Sequence, residues 1–348
     1  MSANSSSGAS SGADAAPDSQ PANQCPDPCV MAKALNHPFQ LASDANRVYW
    51  TEYGDALGSA NGYVKSCPLS GCGAGPMILA QAQTNPRGIA VDSQNVYWAS
   101  ASYGQVGGAI WSCAVGGCTN PTKLADAAIP YGVAVDSTYV YWVDGDNGSA
   151  HRIAKPHAAD AVLYDGGDYA GIGGVIGGIV GPVQCAADDA FVYVNDGAGD
   201  VYRIPAGGGN PVLMVIPGPR AGSWPLTIDS SNVYYGESGR ISRIPKGAIA
   251  SGLVIVANVP TPDGLALDPD PGAKMIYWSD WGSGNADDGT VGKVYTDGTN
   301  PTVLKGSLVT PRAVTVAGSY VFWLSSGTLD TKTNSSLPNT GALMRMAK

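Results

Sequence analysis

The fold of this chain is indicated by two short segments of its sequence. They are Pro86-Arg87-Gly88-Ile89-Ala90-Val91-Asp92 and, three residues later, Val96-Tyr97-Trp98-Ala99-Ser100. Both segments are short, rich in β-branched or aromatic residues, and separated by the polar residues Ser93-Gln94-Asn95. Runs of this kind bounded by turn residues are typical of β-strands joined in a hairpin. The stretch therefore predicts two antiparallel strands, the second carrying an aromatic doublet.

The same pattern, an apolar run led by proline and then an aromatic doublet, recurs seven times along the chain. The units begin at Pro38, Pro86, Pro130, Pro182, Pro225, Pro262 and Pro311. Successive starts are 37 to 52 residues apart, which is about the length of one four-stranded propeller blade. We therefore predict an all-β fold, a seven-bladed β-propeller with four-stranded blades. Six or eight blades are the alternatives.

The two ends of the chain predict how the ring closes. The seventh unit stops after its third predicted strand, which ends near Met346, and an orphan strand, Val30–Leu35, precedes the first unit. We predict that this N-terminal strand completes the last blade, since closure removes an exposed sheet edge. Residues 25–348 are then one propeller domain. Residues 1–24, rich in Ser, Ala and Gly, are predicted to be a disordered leader.

Composition and cysteine spacing limit the cellular compartment and the kinds of partner expected for this chain. The net charge of −9 argues against nucleic-acid binding. The sequence contains no run of 18 apolar residues that would indicate a transmembrane segment. Close cysteine pairs predict three disulfides, which require an oxidising compartment: Cys25–Cys29, Cys67–Cys72 and Cys113–Cys118. The leader resembles the tether of a bacterial lipoprotein. We therefore expect a periplasmic, cell-surface lipoprotein or secreted protein.

An acidic residue follows the aromatic doublet in five of the seven units. These residues are Glu52, Asp144, Asp196, Glu237 and Asp280. One hypothesis is a ring of carboxylates that holds Ca²⁺, a cation that prefers several oxygen ligands. The other is that each carboxylate accepts hydrogen bonds from a neighbouring blade. Because the residue repeats around the ring, we favour the structural role.

Residues that break the repeat are the better candidates for ligand binding. Arg87, Tyr131, Asp263 and Arg312 follow unit-leading prolines, near the predicted inner rim. Together they are suited to an anionic or hydroxylated ligand, because arginine presents a fork that matches a carboxylate. Mutual pairing of arginine with aspartate is the alternative. Trp224 and Trp281, outside the doublets, are predicted contact residues.

Four further features carry weaker predictions. The glycine-rich segment 164–181 has the composition of a lid over the channel mouth. Asp287 and Asp288 are a second possible Ca²⁺ contact, and His151 is a candidate acid or base. Cys185, in an apolar strand, is predicted to be an inert buried thiol. The sequence has no local catalytic motif of the hydrolase or metalloprotease kind.

The repeat consensus, Pro-x-Gly-apolar-Ala-apolar-Asp and then Tyr-Trp-x-acidic, resembles the YWTD-type repeats of lipoprotein-receptor propellers. NHL and gluconolactonase-type propellers are related in architecture. The resemblance implies a propeller, although YWTD propellers have six blades and this chain has seven units.

We predict a monomeric binding propeller for a protein or saccharide at the cell surface. The alternatives are a metal-dependent hydrolase or lyase resembling gluconolactonase-type propellers, and a purely structural envelope protein.

Overall fold

A computed structural model describes residues 27–56, 58–101, 107–145, 148–155, 161–165, 182–215, 225–249, 253–283, 287–328 and 337–348. These residues form 28 β-strands and no helix. Accordingly, no helix in the described part of the chain is long and apolar enough to cross a membrane. The predicted leader, 1–24, and most of the glycine-rich segment 164–181 lie outside the described residues, so both remain predictions.

The strands form seven antiparallel four-stranded sheets, which are the blades of a seven-bladed propeller. This confirms the predicted fold. Blades 1 to 6 each take four consecutive strands, and blade 7 takes three strands from the C-terminus and one from the N-terminus.

The innermost strands of blades 1 to 7 are β2 (Pro38–Ser43), β6 (Pro86–Val91), β10 (Pro130–Val135), β14 (Pro182–Ala187), β18 (Leu226–Ile228), β22 (Pro262–Leu267) and β26 (Pro311–Ala317). The second strands are β3 (Arg47–Glu52), β7 (Asn95–Ser100), β11 (Tyr139–Asp144), β15 (Phe191–Asp196), β19 (Asn232–Glu237), β23 (Met275–Asp280) and β27 (Tyr320–Ser325).

The third strands are β4 (Gly62–Pro68), β8 (Gly108–Ala114), β12 (Ser149–Ala154), β16 (Val201–Pro205), β20 (Arg240–Pro245), β24 (Gly289–Tyr295) and β28 (Gly341–Ala347). The outermost strands are β5 (Met77–Gln83), β9 (Thr122–Ala127), β13 (Ala161–Tyr164), β17 (Val212–Val215), β21 (Val254–Ala257), β25 (Thr302–Leu308) and, for blade 7, β1 (Cys29–Leu35).

The N-terminal strand closes the ring as predicted. β1 pairs antiparallel with β28, with Cys29 opposite Arg345 and Leu35 opposite Gly341. Leu35 is buried in the apolar cluster between blades 7 and 1, whereas Val30, on the same strand, is exposed. The latch thus joins the two ends of the chain by hydrogen bonds and by apolar packing.

The aromatic doublet explains how the blades pack together. Successive residues of a strand point to opposite faces of the sheet, so Tyr49 packs against blade 2 and Trp50 packs against blade 7. Tyr97 and Trp98 do the same one blade later. Most blades therefore present one large ring to each neighbour, although blade 4 has Val194 at the second doublet position. An apolar cluster fills every junction between blades.

Opposite the channel mouth, the turns between first and second strands and between third and fourth strands form what we call the turn face. Six of the blades carry an aspartate in the first of these turns: Asp44, Asp92, Asp136, Asp188, Asp229 and Asp268. In blade 5, Asp229 Oδ1 accepts the N–H groups of Ser231 and Asn232 at 2.7 and 2.6 Å, and Oδ2 accepts the Tyr234 hydroxyl at 2.6 Å. The carboxylate therefore joins the turn to the doublet tyrosine.

Blade 7 departs from this arrangement in two residues at once. It has Ala317 in place of the aspartate and Phe322 in place of the tyrosine, and both are buried. A phenyl ring has no hydroxyl that needs an acceptor. The blade that lacks the tyrosine hydroxyl thus also lacks the aspartate that accepts it in blade 5.

Lysines also join neighbouring blades on the turn face. Lys155 of blade 3 pairs with Asp92 of blade 2 at 2.6 Å. Lys246 of blade 5 pairs with Asp188 of blade 4, and the C-terminal Lys348 pairs with Asp268 of blade 6 at 2.8 Å. The turn face thus carries cross-links between blades as well as the turn hydrogen bonds.

Two of the three predicted disulfides lie within the described residues, and both form. Cys67–Cys72 and Cys113–Cys118 close the turns between third and fourth strands in blades 1 and 2. Cys29 is disulfide-bonded, but Cys25, its predicted partner, lies outside the described residues. Disulfides at two successive turns are consistent with an oxidising compartment.

Candidate ligand site at the channel mouth

The innermost strands of all seven blades line a central channel with a cavity of about 430 Å³. That volume is within the range of pockets that hold small ligands. At one end, where the innermost strands begin and the second strands end, the lining includes Phe39, Tyr131, Asp263 and Arg312. We call this end the mouth face.

A single position of the repeat supplies most of the mouth. It is the residue after the leading proline, occupied by Phe39, Arg87, Tyr131, Val183, Asp263 and Arg312 in six of the blades. Phenylalanine, arginine, tyrosine, valine and aspartate share no scaffolding chemistry. The variety at this position, on strands that are otherwise equivalent, marks the mouth as the place where the repeat is specialised.

The register of blade 5 corrects the sequence alignment there. Leu226 lies opposite Tyr235, as Leu41 lies opposite Trp50 in blade 1, so Leu226 stands two residues deeper than the mouth position. The leading proline of the other units is therefore not equivalent to Pro225. Counted along the sequence, the mouth position of blade 5 corresponds to Trp224, which lies outside the described residues.

Arg312 and Asp263, from neighbouring innermost strands, form an ion pair with Nε 3.2 Å from Oδ2. Both side chains remain partly exposed, at 29% and 21%. The guanidinium carbon of Arg312 also lies 5.2 Å from the Phe39 ring centre and 5.1 Å from that of Trp281. Contacts of this kind hold a guanidinium in one orientation. The structure thus brings three of the predicted contact residues together.

Arg87 takes a different role from the one predicted. It is only 3% exposed, and its guanidinium carbon lies 4.1 Å from the Tyr131 ring centre and 5.6 Å from that of Tyr53. Its Nη2 reaches the Tyr53 hydroxyl at 3.5 Å. A guanidinium buried against two rings supports those rings, and it presents little surface to a ligand.

These contacts join into one structure, which we call the aromatic–arginine arc. It consists of Trp281, Arg312, Phe39, Tyr53, Arg87 and Tyr131. Phe39 and Tyr53 complete it by stacking at 6.1 Å with an interplanar angle of 28°. The arc and its acidic partner, Asp263, come from five successive blades, so the ring brings together residues that are far apart in the sequence.

Tyr53 was not among the residues predicted from the sequence. It directly follows Glu52, as Trp281 directly follows Asp280, and both rings contact an arginine of the mouth. The matching residue in blade 3 is Gly145, where a Cβ atom would come within 2.8 Å of the Tyr131 ring. Comparing the residue after the acidic position would have found Tyr53.

The backbone is strained beside the arc. The residues before the leading prolines of blades 1, 2 and 7 are His37, Asn85 and Thr310, with φ angles of +52°, +43° and +39°. Residues other than glycine rarely adopt positive φ, and for a β-branched threonine it is especially unfavourable. Such strain often marks functional sites. These three blades carry Phe39, Arg87 and Arg312.

Three of the five carboxylates that follow the doublets, the candidate Ca²⁺ ligands, form hydrogen bonds to the linkers between blades. Glu52 accepts the Asn36 N–H at 3.0 Å and the Trp50 indole N–H at 2.9 Å. Asp144 accepts the N–H groups of residues 128 and 129 at 2.7 and 2.8 Å. Asp280 accepts the N–H and hydroxyl groups of Thr261. In each case, at least one donor comes from the linker that enters the same blade.

The other two carboxylates bind their own hairpins. Asp196 accepts the N–H groups of Ala198 and Asp200, both at 2.9 Å. Glu237 accepts the Ser242 hydroxyl at 2.6 Å and pairs with Arg240 at 2.8 Å. No three histidine, cysteine, aspartate or glutamate residues of the described part of the chain lie close enough together to hold a metal ion. The five carboxylates thus remain in separate blades.

The other sequence candidates lie away from the arc. His151 stacks on Trp142 at 5.1 Å and contacts the Ser149 hydroxyl at 2.7 Å. Asp288 accepts the Ser283 N–H at 2.9 Å, and Asp287 is exposed. Cys185 lines the channel, and burial raises the pKa of its thiol to about 12. This thiol is therefore unreactive at neutral pH.

No known protein family matches the chain, and no curated protein matches it. Many solved structures are similar to the chain, among them the following two. The crystal structure of a nidogen/laminin complex covers 80% of this chain and 85% of its own, at 18% identity and a TM-score of 0.45. The GH74 enzyme of Niastella koreensis covers 85% of this chain at 13% identity and a TM-score of 0.60. This chain spans about half of that enzyme, 52%. The second similarity supports the propeller fold alone.

Proposed function

We propose that this protein is an extracytoplasmic binding protein that holds its ligand at the mouth of the central channel. The observation that carries the proposal is the aromatic–arginine arc, a group of unlike side chains placed around an open cavity on an otherwise repetitive ring. The carboxylates that follow the aromatic doublets and the aspartates of the turn face explain how the ring is built. The arc is not a feature of the repeat, because the position after the leading proline carries five different residue types in six blades.

The ligand would be a hydroxylated or anionic group presented by a partner at the cell surface. No described residue accepts a hydrogen bond from Nη1 or Nη2 of Arg312, nor does one donate to Oδ1 of Asp263. The pair therefore offers donors and an acceptor at the mouth, beside the rings of Phe39 and Trp281. The disulfides of blades 1 and 2 support a location outside the cytoplasm.

Thermal unfolding of the full chain tests the proposal, because a ligand that binds only the folded protein raises the unfolding midpoint. The probes are neutral sugars, small carboxylates and short peptides, each at millimolar concentration. We expect at least one class to raise the midpoint of the wild type and to have no effect on Arg312→Gln. The matched control is Lys123→Gln, which removes the cation of an exposed ion pair on β9. A midpoint shift that persists in Arg312→Gln, or no shift with any class, would contradict the proposal.

A further inference from the structure

The mouth is a recess, and this bears on the kind of ligand it holds. A specific protein interface covers about 800 Å² on each partner. By contrast, the arc rims a channel of about 430 Å³ that runs between the innermost strands, from Arg312 at the mouth to Ser43 and Val316 at the far end. A site of this shape encloses a small ring or the end of a chain. It is poorly matched to a flat protein surface.

The polar groups at the mouth match the chemistry of a sugar hydroxyl, which both donates and accepts hydrogen bonds. Arg312 supplies donors and Asp263 supplies an acceptor from adjacent positions, so two neighbouring hydroxyl groups of one sugar ring can be satisfied together. Both side chains are held in place, Asp263 by the ion pair and Arg312 by the rings as well. The pair is therefore preorganised for a polyol.

The aromatic members of the arc supply the apolar half of the site. Phe39, Tyr131 and Trp281 are each half-buried, so part of each ring remains accessible at the mouth. A pyranose ring has apolar C–H faces as well as polar edges, and it packs against aromatic rings in the way other apolar groups do. Aromatic rings beside a donor–acceptor pair therefore fit a saccharide on two sides.

Deeper in the channel, the polar lining is uncharged. Gln184 and Thr227 make no side-chain hydrogen bond to any described residue, and Thr315 shares one with Ser43 at 2.7 Å. Amide and hydroxyl groups both donate and accept hydrogen bonds, so they match the hydroxyl groups of a sugar. The net charge of −9 also disfavours the approach of an anion.

We infer that the ligand is a neutral saccharide, with one pyranose ring held between Asp263, Arg312 and the aromatic rings of the arc. The inference rests on the proposed function and specifies its ligand. In this arrangement Asp263 accepts one hydroxyl, Arg312 donates to its neighbour, and Phe39 and Trp281 contact the C–H faces. Gln184 and Thr227 bind whatever part of the sugar chain extends into the channel.

The test is a screen of the full chain on an array of neutral and uronate-bearing glycans, followed by calorimetric titration with the best neutral glycan and its matched uronate. We expect the neutral glycan to bind at least about tenfold more tightly than the uronate. Loss of a charged hydrogen-bonding partner or of an aromatic contact weakens binding by about tenfold. We therefore expect such losses in Asp263→Asn and in Phe39→Ala.

Matched controls separate local effects from global ones. Asp126→Asn alters an exposed ion pair on β9, and Val303→Ala truncates an exposed residue of β25; neither should change the affinity. Tighter binding of the uronate, or Arg312-dependent binding of only small carboxylates or peptides, would overturn the saccharide inference and leave the site in place. Binding that is equal in wild type, Asp263→Asn and Arg312→Gln would overturn the inference and the proposed site together.

Discussion

The two faces of this propeller use the same residue types for different purposes. On the turn face, Arg345 is 5% exposed, donates from Nη1 to the Leu69 carbonyl at 2.7 Å and lies 4.3 Å from the Tyr320 ring. On the mouth face, Arg312 also contacts aromatic rings, but two of its nitrogens have no partner among the described residues. Both arginines belong to blade 7. One closes a junction between blades, and the other faces an open cavity.

The two arginines show how contacts that hold a repeat protein together differ from contacts that are available for binding. Contacts of the Arg345 kind recur, because Arg152 and Arg203 also reach carbonyl groups of the next blade. The ion pair of Arg312 with an aspartate of the neighbouring innermost strand does not recur elsewhere among the described residues. A contact made at several junctions serves the ring, whereas a contact made once and left incomplete is available to a ligand.

The largest expected effect concerns the closure on which both faces depend. Leu35→Ala should lower the free energy of unfolding by about 2–5 kcal/mol, because it opens a cavity in the cluster between blades 7 and 1. Val30→Ala is the matched control on the same strand, where an exposed side chain contributes within about 0.5 kcal/mol. Urea titration of both variants measures the difference. Equal effects would show that β1 does not latch the ring.

The next effect compares one aspartate from each face. Asp229→Ala should cost about 2–3 kcal/mol, because two N–H groups and the Tyr234 hydroxyl lose their acceptor. Asp263→Ala removes a partly exposed ion pair and should cost no more than about 1 kcal/mol. Chemical denaturation of the two variants checks this order. A larger loss for Asp263→Ala would make the mouth part of the scaffold.

Acid should weaken the turn face selectively. Burial alone would raise the pKa of Asp92, Asp188 and Asp229, but hydrogen bonds from lysine, tyrosine and backbone N–H groups outweigh it and lower the pKa. Because these pKa values are below the unfolded value of about 3.9, their contribution is complete above about pH 4 and is lost as the pH falls through the folded pKa.

Urea midpoints measured from neutral pH down to about pH 2 test this point. We expect Asp229→Asn to flatten the acid limb of the stability curve, since the group that titrates has been removed. An identical acid limb in wild type and Asp229→Asn would contradict this assignment.

The smallest expected effect concerns the acidic ring. Each carboxylate of this ring accepts hydrogen bonds from its own segment or an adjoining one: Glu52, Asp144, Asp196, Glu237 and Asp280. We therefore expect that EDTA, followed by added Ca²⁺, leaves the unfolding midpoint unchanged. A clear shift with Ca²⁺ would contradict this expectation and would revive the hypothesis of a metal-dependent hydrolase.

The fold could be predicted from the sequence because its determinants repeat. The aromatic doublet recurs because most junctions between blades are filled by one ring from each side, as Tyr49 and Trp98 show. The spacing of the prolines gave the blade count, and the orphan strand before Pro38 indicated the latch. Blade 5 was misaligned because Pro225 looks like a leading proline, although Leu226 stands two residues deeper.

The mouth was predicted less well because its contacts join distant blades. The sequence placed Arg312, Asp263 and Trp281 among the candidates, but it could not show that Arg87 is buried against Tyr53 and Tyr131. Both arginines follow a leading proline, so their local sequences look equivalent. What separates them is the set of rings that the neighbouring blades supply, which only the closed ring reveals.

The most direct test of the division between the two faces compares two variants of blade 7, Arg345→Met and Arg312→Met. Methionine is chosen because it retains an apolar stem. For Arg345→Met we predict a loss of about 1–3 kcal/mol in the free energy of unfolding, because Leu69 loses its donor, with unchanged affinity for the neutral glycan. For Arg312→Met we predict the reverse, near-normal stability and at least about tenfold weaker binding. Equal destabilisation by both variants, with glycan affinity retained in Arg312→Met, would contradict the claim that the mouth face binds and the turn face holds the ring together.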